Sequence, residues 1–242
     1  MEKVSFQNAS GQRLAGAFYA GKSETCILVV HGFLANKDRA RLVKMAEKLN
    51  KAGYSVLRFD FGACGESEQR IITLHGQVED FSAAIQFLEQ KRFHKFGVWA
   101  ESLGALVALQ GYLDKIKAMV LWAPVTHSKK PPFVERGEFH ESFEDKNVLL
   151  HSHGGREFKI SKEYLKEREA VVQEKLLSPV LCPILLICGT EDTFVPFEHS
   201  QKAMQFLSKN SKLELFENIG HGFDSIEEKV QKLSLEWFEK FL

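Results

Sequence analysis

Phe96-Gly97-Val98-Trp99-Ala100-Glu101-Ser102-Leu103-Gly104-Ala105-Leu106 changes its period in the middle. Phe96 to Ala100 is a continuous apolar run, the pattern of a strand buried on both faces. Leu103, Leu106, Val107 and Leu109 then follow at helical spacing. Between the two lies small-x-Ser-x-small, with Ala100 and Gly104 two places either side of Ser102. A strand that becomes a helix within one residue strains that residue's backbone. Its flanks must be small, because the strand end and the helix start nearly collide. The hydroxyl then stands clear of the sheet at a helix N-terminus, where free N–H groups and the dipole favour developing negative charge. An ordinary serine N-cap is the alternative reading of the same residues.

Outward from this stretch the chain alternates strands and helices. Lys3 to Gln7 and Arg13 to Tyr19 read as a hairpin turning at Ser10-Gly11. Cys26 to Val30 reads as a buried strand running into His31-Gly32-Phe33, followed by a helix marked by Leu42, Met45, Ala46 and Leu49 that ends at Gly53. Tyr54 to Phe59 is the next strand, and Val78, Phe81, Ile85 and Leu88 mark the next helix. Beyond the serine, Ala118 to Ala123 and Ile184 to Cys188 read as buried strands. A helix near His199 to Leu207, a strand at Lys212 to Phe216 and a helix over Ile226 to Phe241, capped by Asp224, complete the chain. This alternation predicts an α/β fold, a mostly parallel twisted sheet with helices on both faces, as one domain over 1–242. The rhythm breaks between 126 and 178, a charge-rich stretch with scattered aromatics. It is expected to be a small cap inserted over the strand ends.

Composition narrows the function classes. The chain has 242 residues, enough for a large core, with 32 Lys plus Arg against 32 Asp plus Glu, so no net field favours nucleic acid or an anionic membrane. The first residues have no apolar core, which argues against a signal peptide, and no run approaches the roughly 20 residues of a membrane span. Cys26, Cys64, Cys182 and Cys188 have no zinc spacing and are expected to be free thiols in a reducing cytoplasm. His151-x-His153 has no completing carboxylate or cysteine cluster, so no metal is expected. The glycines of 61–65 lack the nucleotide-loop ending, so no cofactor is expected, and that loop is expected to shape a pocket wall.

A serine hydroxyl needs a base, and the base needs an orienting partner. His221 is the base candidate, bracketed by Gly220 and Gly222 in the loop past the last strand. Asp192 in Gly189-Thr190-Glu191-Asp192 is the acid candidate, with Glu191 its alternative. Parallel strands end on one edge of the sheet, so Ser102, Asp192 and His221 open on the same side, where such sheets bind ligands. An oxyanion needs two donors, here the backbone N–H groups of Leu103 and Phe33. His31 is read as a buried histidine bonding backbone in its turn.

His31-Gly32-Phe33, Asp60-x-x-x-x-Gly65-x-Ser67, Ala100-x-Ser102-x-Gly104, Gly189-Thr190-x-Asp192 and Gly220-His221-Gly222-Phe223 together resemble the α/β-hydrolase superfamily. Within it the chain looks most like the serine aminopeptidase and cinnamoyl (feruloyl) esterase-like group. The usual first glycine of the serine turn is Ala100 here, as in small bacillary lipases. The resemblance implies a serine hydrolase, carboxylesterase-like, acting on a small to medium acyl or aryl ester through an acyl-enzyme. A thioesterase or acyltransferase would use the same triad, and a non-catalytic ligand-binding protein is the alternative of a different class. Phe133, Phe139, Phe143 and Phe158 of the cap are expected to line an apolar acyl or aryl pocket above Ser102. The expected partner is thus a small-molecule ester or thioester; oligomeric state is left open.

Overall fold

The computed structural model describes residues 1–242 apart from Lys129 and the side chains of Pro132 and Phe133. The chain runs β1 (Glu2–Gln7), β2 (Arg13–Tyr19), β3 (Thr25–Val30), α1 (Ala40–Lys51), β4 (Ser55–Phe59), α2 (Leu74–Gln90), β5 (Lys95–Glu101), α3 (Leu103–Gln110) and β6 (Ile116–Trp122). It then forms α4 (Pro132–Glu135), β7 (His140–Glu141), β8 (Val148–His153), β9 (Arg156–Ser161), α5 (Lys162–Glu169) and α6 (Gln173–Leu177). It closes with β10 (Ile184–Gly189), α7 (Glu198–Ala203), β11 (Lys212–Phe216) and α8 (Glu227–Phe241).

Eight strands form one sheet in the order β1-β2-β4-β3-β5-β6-β10-β11. β1 and β2 enter antiparallel, and every pair from β4 onward is parallel. The central strands are apolar throughout because both faces are covered. Successive side chains go to opposite sides: Leu28, Val98 and Leu121 pack with α2 and α3, whereas Val29, Trp99 and Trp122 pack with α1 and α8. Trp99 and Trp122 meet edge to face at 5.2 Å, an arrangement worth about 0.5–1.5 kcal/mol beyond burial. All four cysteines are buried free thiols. Among the described residues, no helix is long and apolar enough to cross a membrane.

Between β6 and β10 the chain is more regular than its sequence suggests. β7, β8 and β9 form a separate antiparallel sheet. Gly154 and Gly155 join β8 to β9, both at positive φ (58° and 76°), the requirement of a tight two-residue hairpin turn. Gly-Gly between two short alternating runs is a legible hairpin signal. The helix-like spacing near 161–177 resolves into α5 and α6. This segment is fastened to the main sheet's helices. The N–H of Ile72 donates to Lys159 O at 2.8 Å, and the N–H of Ser161 donates to Ile72 O at 2.9 Å. The Glu167 carboxylate accepts from the N–H groups of Leu74 and His75 at the start of α2. Phe158, Ile160, Tyr164 and Leu177 join the same apolar cluster as α2 and α3.

One local expectation is corrected. Asp224 does not cap the last helix: it opens a 3-10 turn, Asp224–Ile226, and its carboxylate pairs with Arg41 at 3.1 Å. The loop before it carries positive φ at Asn218 (59°) and Phe223 (55°).

Candidate active site

Ser102 sits between the last residue of β5 and the first of α3, at φ 52° and ψ −117°. For a residue with a side chain this region costs on the order of 1–3 kcal/mol and persists only where the surroundings enforce it. Three backbone hydrogen bonds do so. Ser102 N–H donates to Trp122 O at 2.8 Å, and its own carbonyl accepts from Val125 N–H at 3.1 Å and Ala105 N–H at 3.2 Å. The small flanks are accounted for by contact. A Cβ on Gly104 would sit 2.4 Å from His31 O, and one on Gly32 would sit 3.3 Å from the Ser102 Cβ. Serine and the loop after β3 are therefore pressed together. Ser102 makes no side-chain cap bond to α3, so the N-cap reading does not hold. Leu103, the first residue of α3, presents one of the helix's unbonded N–H groups.

His31 is fully buried. Its Nε2 accepts from the Phe61 N–H at 3.1 Å, so Nδ1 carries the proton and donates to Gly32 O at 2.8 Å. Burial pulls its pKa below the usual imidazole range, despite the nearby Asp60 carboxylate. A neutral imidazole that ties two loops together is the structural role its sequence context suggested.

Asp192 is buried, and its carboxylate is fully engaged. Oδ1 accepts from the N–H groups of Phe194 (2.9 Å) and Val195 (2.8 Å), and Oδ2 lies 2.7 Å from His221 Nδ1. Glu191 points to water. The carboxylate fixes the proton on Nδ1 of His221 and leaves Nε2 as the acceptor. His221 and Ser102 line one cavity of about 510 Å³, together with Phe33 and Leu103.

The aromatic residues of the inserted segment do not meet the expectation set for them. Phe143 is fully exposed, because it lies in a turn beyond β7. Phe158 is buried on β9 inside the main apolar cluster, and Phe139 packs partly buried against that cluster. None of the three lines the cavity. The Phe133 side chain lies outside the described residues. The 61–67 loop also stays out of the cavity. It wraps the buried Asp60 carboxylate, which accepts from the N–H groups of Lys37 and Glu66 and pairs with the Lys37 ammonium at 3.0 Å.

Sequence reasoning missed much of the wall. It includes Arg39 and Arg41 at the start of α1, Glu101 beside the serine, Trp122, and Phe194 and Val195 past Asp192. From the inserted segment it takes Arg136, His151, His153, Tyr164 and Arg168. Glu101 is buried and contacts Arg39 (3.3 Å) and Arg41 (3.5 Å). Phe194 lies 5.4 Å from the His221 ring. For the inserted segment the missed signal was its charge, since only its aromatics were assigned to the pocket. Among the described residues no group of three or more potential ligands is placed to hold a metal.

Comparison with known proteins bears on the fold and the family. Residues 25–145 match the family model described as the alpha/beta hydrolase fold. A thiohydrolase, aneE of Aspergillus aculeatus, is 33% identical over 114 residues, which are 44% of this chain and 36% of that protein. The lysophosphatidylserine lipase ABHD12 of Danio rerio is 23% identical over 202 residues, 79% of this chain and 49% of the relative. The matches thus span less than half the length of either curated relative. Est1E of Butyrivibrio proteoclasticus, solved with ferulic acid bound, superimposes with a TM-score of 0.77 at 22% identity, covering 98% of this chain and 99% of that one.

Proposed function

Because this chain belongs to the α/β-hydrolase fold family, we propose that it is a serine hydrolase that cleaves a carboxylic ester through an acyl-enzyme. One observation carries the reading. The Asp192–His221 pair, at 2.7 Å, opens on the same cavity as a serine held at φ 52°. In this reading Nε2 of His221 takes the Ser102 proton as Oγ attacks the ester carbonyl. The oxyanion is bound by the N–H groups of Leu103 and Phe33. His221 then gives its proton to the departing alkoxide, and the C–O bond breaks to leave the acyl-serine. A water, deprotonated by the same nitrogen, attacks the acyl carbon, and the acid and free serine are released. Asp192 holds the tautomer and stabilises the imidazolium that forms in each half. The 126–178 segment acts as the cap that closes the cavity opposite the serine.

A thioester would follow the same steps with a thiolate leaving, and the match to a thiohydrolase supports testing one beside an ester. The test is turnover of p-nitrophenyl butyrate and butyryl-CoA by the purified chain and by Ser102→Ala. The expected result is loss of at least about 10⁴-fold with the fold unchanged by circular dichroism. Equal turnover by the folded variant would overturn the assignment.

A further inference from the structure

Two arginines stand where a helix least favours them. Arg39 immediately precedes α1 and Arg41 lies in its first turn, where the helix dipole opposes cations. That turn holds no acidic residue, and the partner comes instead from the serine turn. Glu101, the residue before Ser102, is buried, with Oε1 3.3 Å from Arg39 Nη1 and Oε2 3.5 Å from Arg41 Nη1. The two contacts differ in their surroundings. The Arg39 side chain is 50% exposed, so water screens its pairing, whereas that of Arg41 is 13% exposed. The Arg41 guanidinium also stands 5.1 Å over the Trp122 ring. Glu101 Oε2 is buried and accepts no hydrogen bond among the described residues, which leaves the Arg41 cation to offset its charge. The other contact of Arg41, with Asp224, ends on a largely exposed carboxylate and gains little in water.

Glu101 also touches the loop that carries Phe33, the second proposed oxyanion donor. Its Oε1 accepts from Gly32 N–H at 3.4 Å. A Cβ on Gly32 would sit 3.3 Å from the Ser102 Cβ and 3.7 Å from the Glu101 Cγ, so Gly32 lies against both side chains. Its carbonyl accepts from His31 Nδ1 at 2.8 Å, and that carbonyl shares one rigid peptide plane with Phe33 N–H. Gly32 is thus held by Glu101 at its N–H and by His31 at its carbonyl, and the direction of Phe33 N–H follows. The carboxylate carries a penalty in this place. Its negative charge opposes the charge that develops on the carbonyl oxygen, and repulsion is strong where water is scarce.

Resting on the hydrolase reading above, we propose that Glu101 and Arg41 are one positioning unit for the oxyanion hole. Glu101 sets the Gly32–Phe33 turn, and Arg41 keeps that carboxylate from opposing the oxyanion. Both act through Gly32 and Phe33 rather than on the reacting carbonyl. The pairing implies an asymmetry. Loss of the arginine alone leaves an uncompensated buried carboxylate, which is worse than the loss of both charges. Glutamine at 101 keeps an acceptor for Gly32 N–H and removes the charge. Because the compensation matters once the oxyanion forms, the loss falls on kcat and spares KM.

The experiment is a double-mutant cycle on turnover of p-nitrophenyl butyrate by the full chain, with each variant's fold checked by circular dichroism. Arg41→Gln is expected to lower kcat at least about tenfold while KM moves less than about twofold. Glu101→Gln should lower kcat less than about threefold, and the double variant should return to within about threefold of Glu101→Gln. Arg41→Lys, which keeps the charge, should recover most of what Arg41→Gln loses. A double variant as slow as Arg41→Gln overturns the inference, and so does an Arg41→Gln variant with the parent's kcat. If Arg41→Gln does not fold, Glu101→Met decides, since methionine fills a similar volume but offers Gly32 no acceptor. It is expected to turn over at least about tenfold slower than Glu101→Gln, and equal rates overturn the inference. Turnover by the parent with either adverse result leaves the hydrolase reading standing. A folded parent that hydrolyses no ester ends both.

Discussion

The turn at Ser102 and the antiparallel strands β7–β9 both contribute to one cavity, through Ser102 and through His151 and His153 of β8, and are held by different means. Around the turn, β5 is apolar on both faces, and the strained serine is clamped by backbone bonds to Trp122, Val125 and Ala105. The one charged side chain there, the buried Glu101, is held by Arg39 and Arg41. The inserted strands are one-sided. Phe158 and Ile160 point into the main core, while Glu157 and Lys159, which alternate with them, face water, and the ties to the body include a carboxylate, Glu167, on a helix end. The serine turn is thus held mainly by backbone bonds and packing, whereas the inserted strands bury one face and carry charged side chains on the other.

If that division is right, the largest effects on rate belong to the serine turn and the residues proposed to act with it. Asp192→Asn should lower kcat by about 10³–10⁴-fold, because the amide permits the wrong imidazole tautomer, with thermal unfolding used to check that the fold is kept. Glu191→Gln, at an exposed position one residue away, should change kcat less than threefold. If the order of the two is reversed, the pairing seen at His221 is not the working one.

The insertion is predicted to matter for stability through its buried face. Ile160→Ala should cost about 2–5 kcal/mol in denaturant unfolding, since Ile160 is fully buried beside Ile72. A cost below about 1 kcal/mol would make the segment a loose lid rather than part of the core. Excising 126–178 should for the same reason expose the apolar cluster and leave no folded enzyme.

At the turn, Ala100→Val should cost about 1–3 kcal/mol by overpacking a fully buried position. Ala100→Gly should cost at most about 1 kcal/mol, from backbone entropy. A Val variant as stable as the parent would mean the turn has room that its neighbours deny. The smallest effect is at the seam: Glu167→Ala should cost about 0.5–2 kcal/mol, the worth of a helix N-terminal acceptor.

The same division explains what the sequence revealed. Strands covered on both faces leave apolar runs such as Cys26–Val30 and Ile184–Cys188, and the residues after them could be placed on one sheet edge before any coordinates. The placement of Ser102 and His221 beside one cavity, with Asp192 against His221, was legible for that reason. Phe139, Phe143 and Phe158 were not, because an aromatic residue in an unrecognised strand carries no sign of which face it takes. Phe158 follows the period-2 pattern of β9, and that pattern becomes visible only once Gly154-Gly155 is read as a turn. The arginines escaped notice because charge in a polar segment looks the same whether it faces bulk water or a cavity.

The most direct test of the central claim is covalent. The folded protein is treated with a fluorophosphonate, digested and mapped by mass spectrometry. An activated nucleophile at the strand–helix turn predicts one stoichiometric adduct, on the peptide carrying Ser102, absent in Ser102→Ala and much slower to form in His221→Ala. No adduct on the folded chain, or an adduct undiminished in Ser102→Ala, would contradict it.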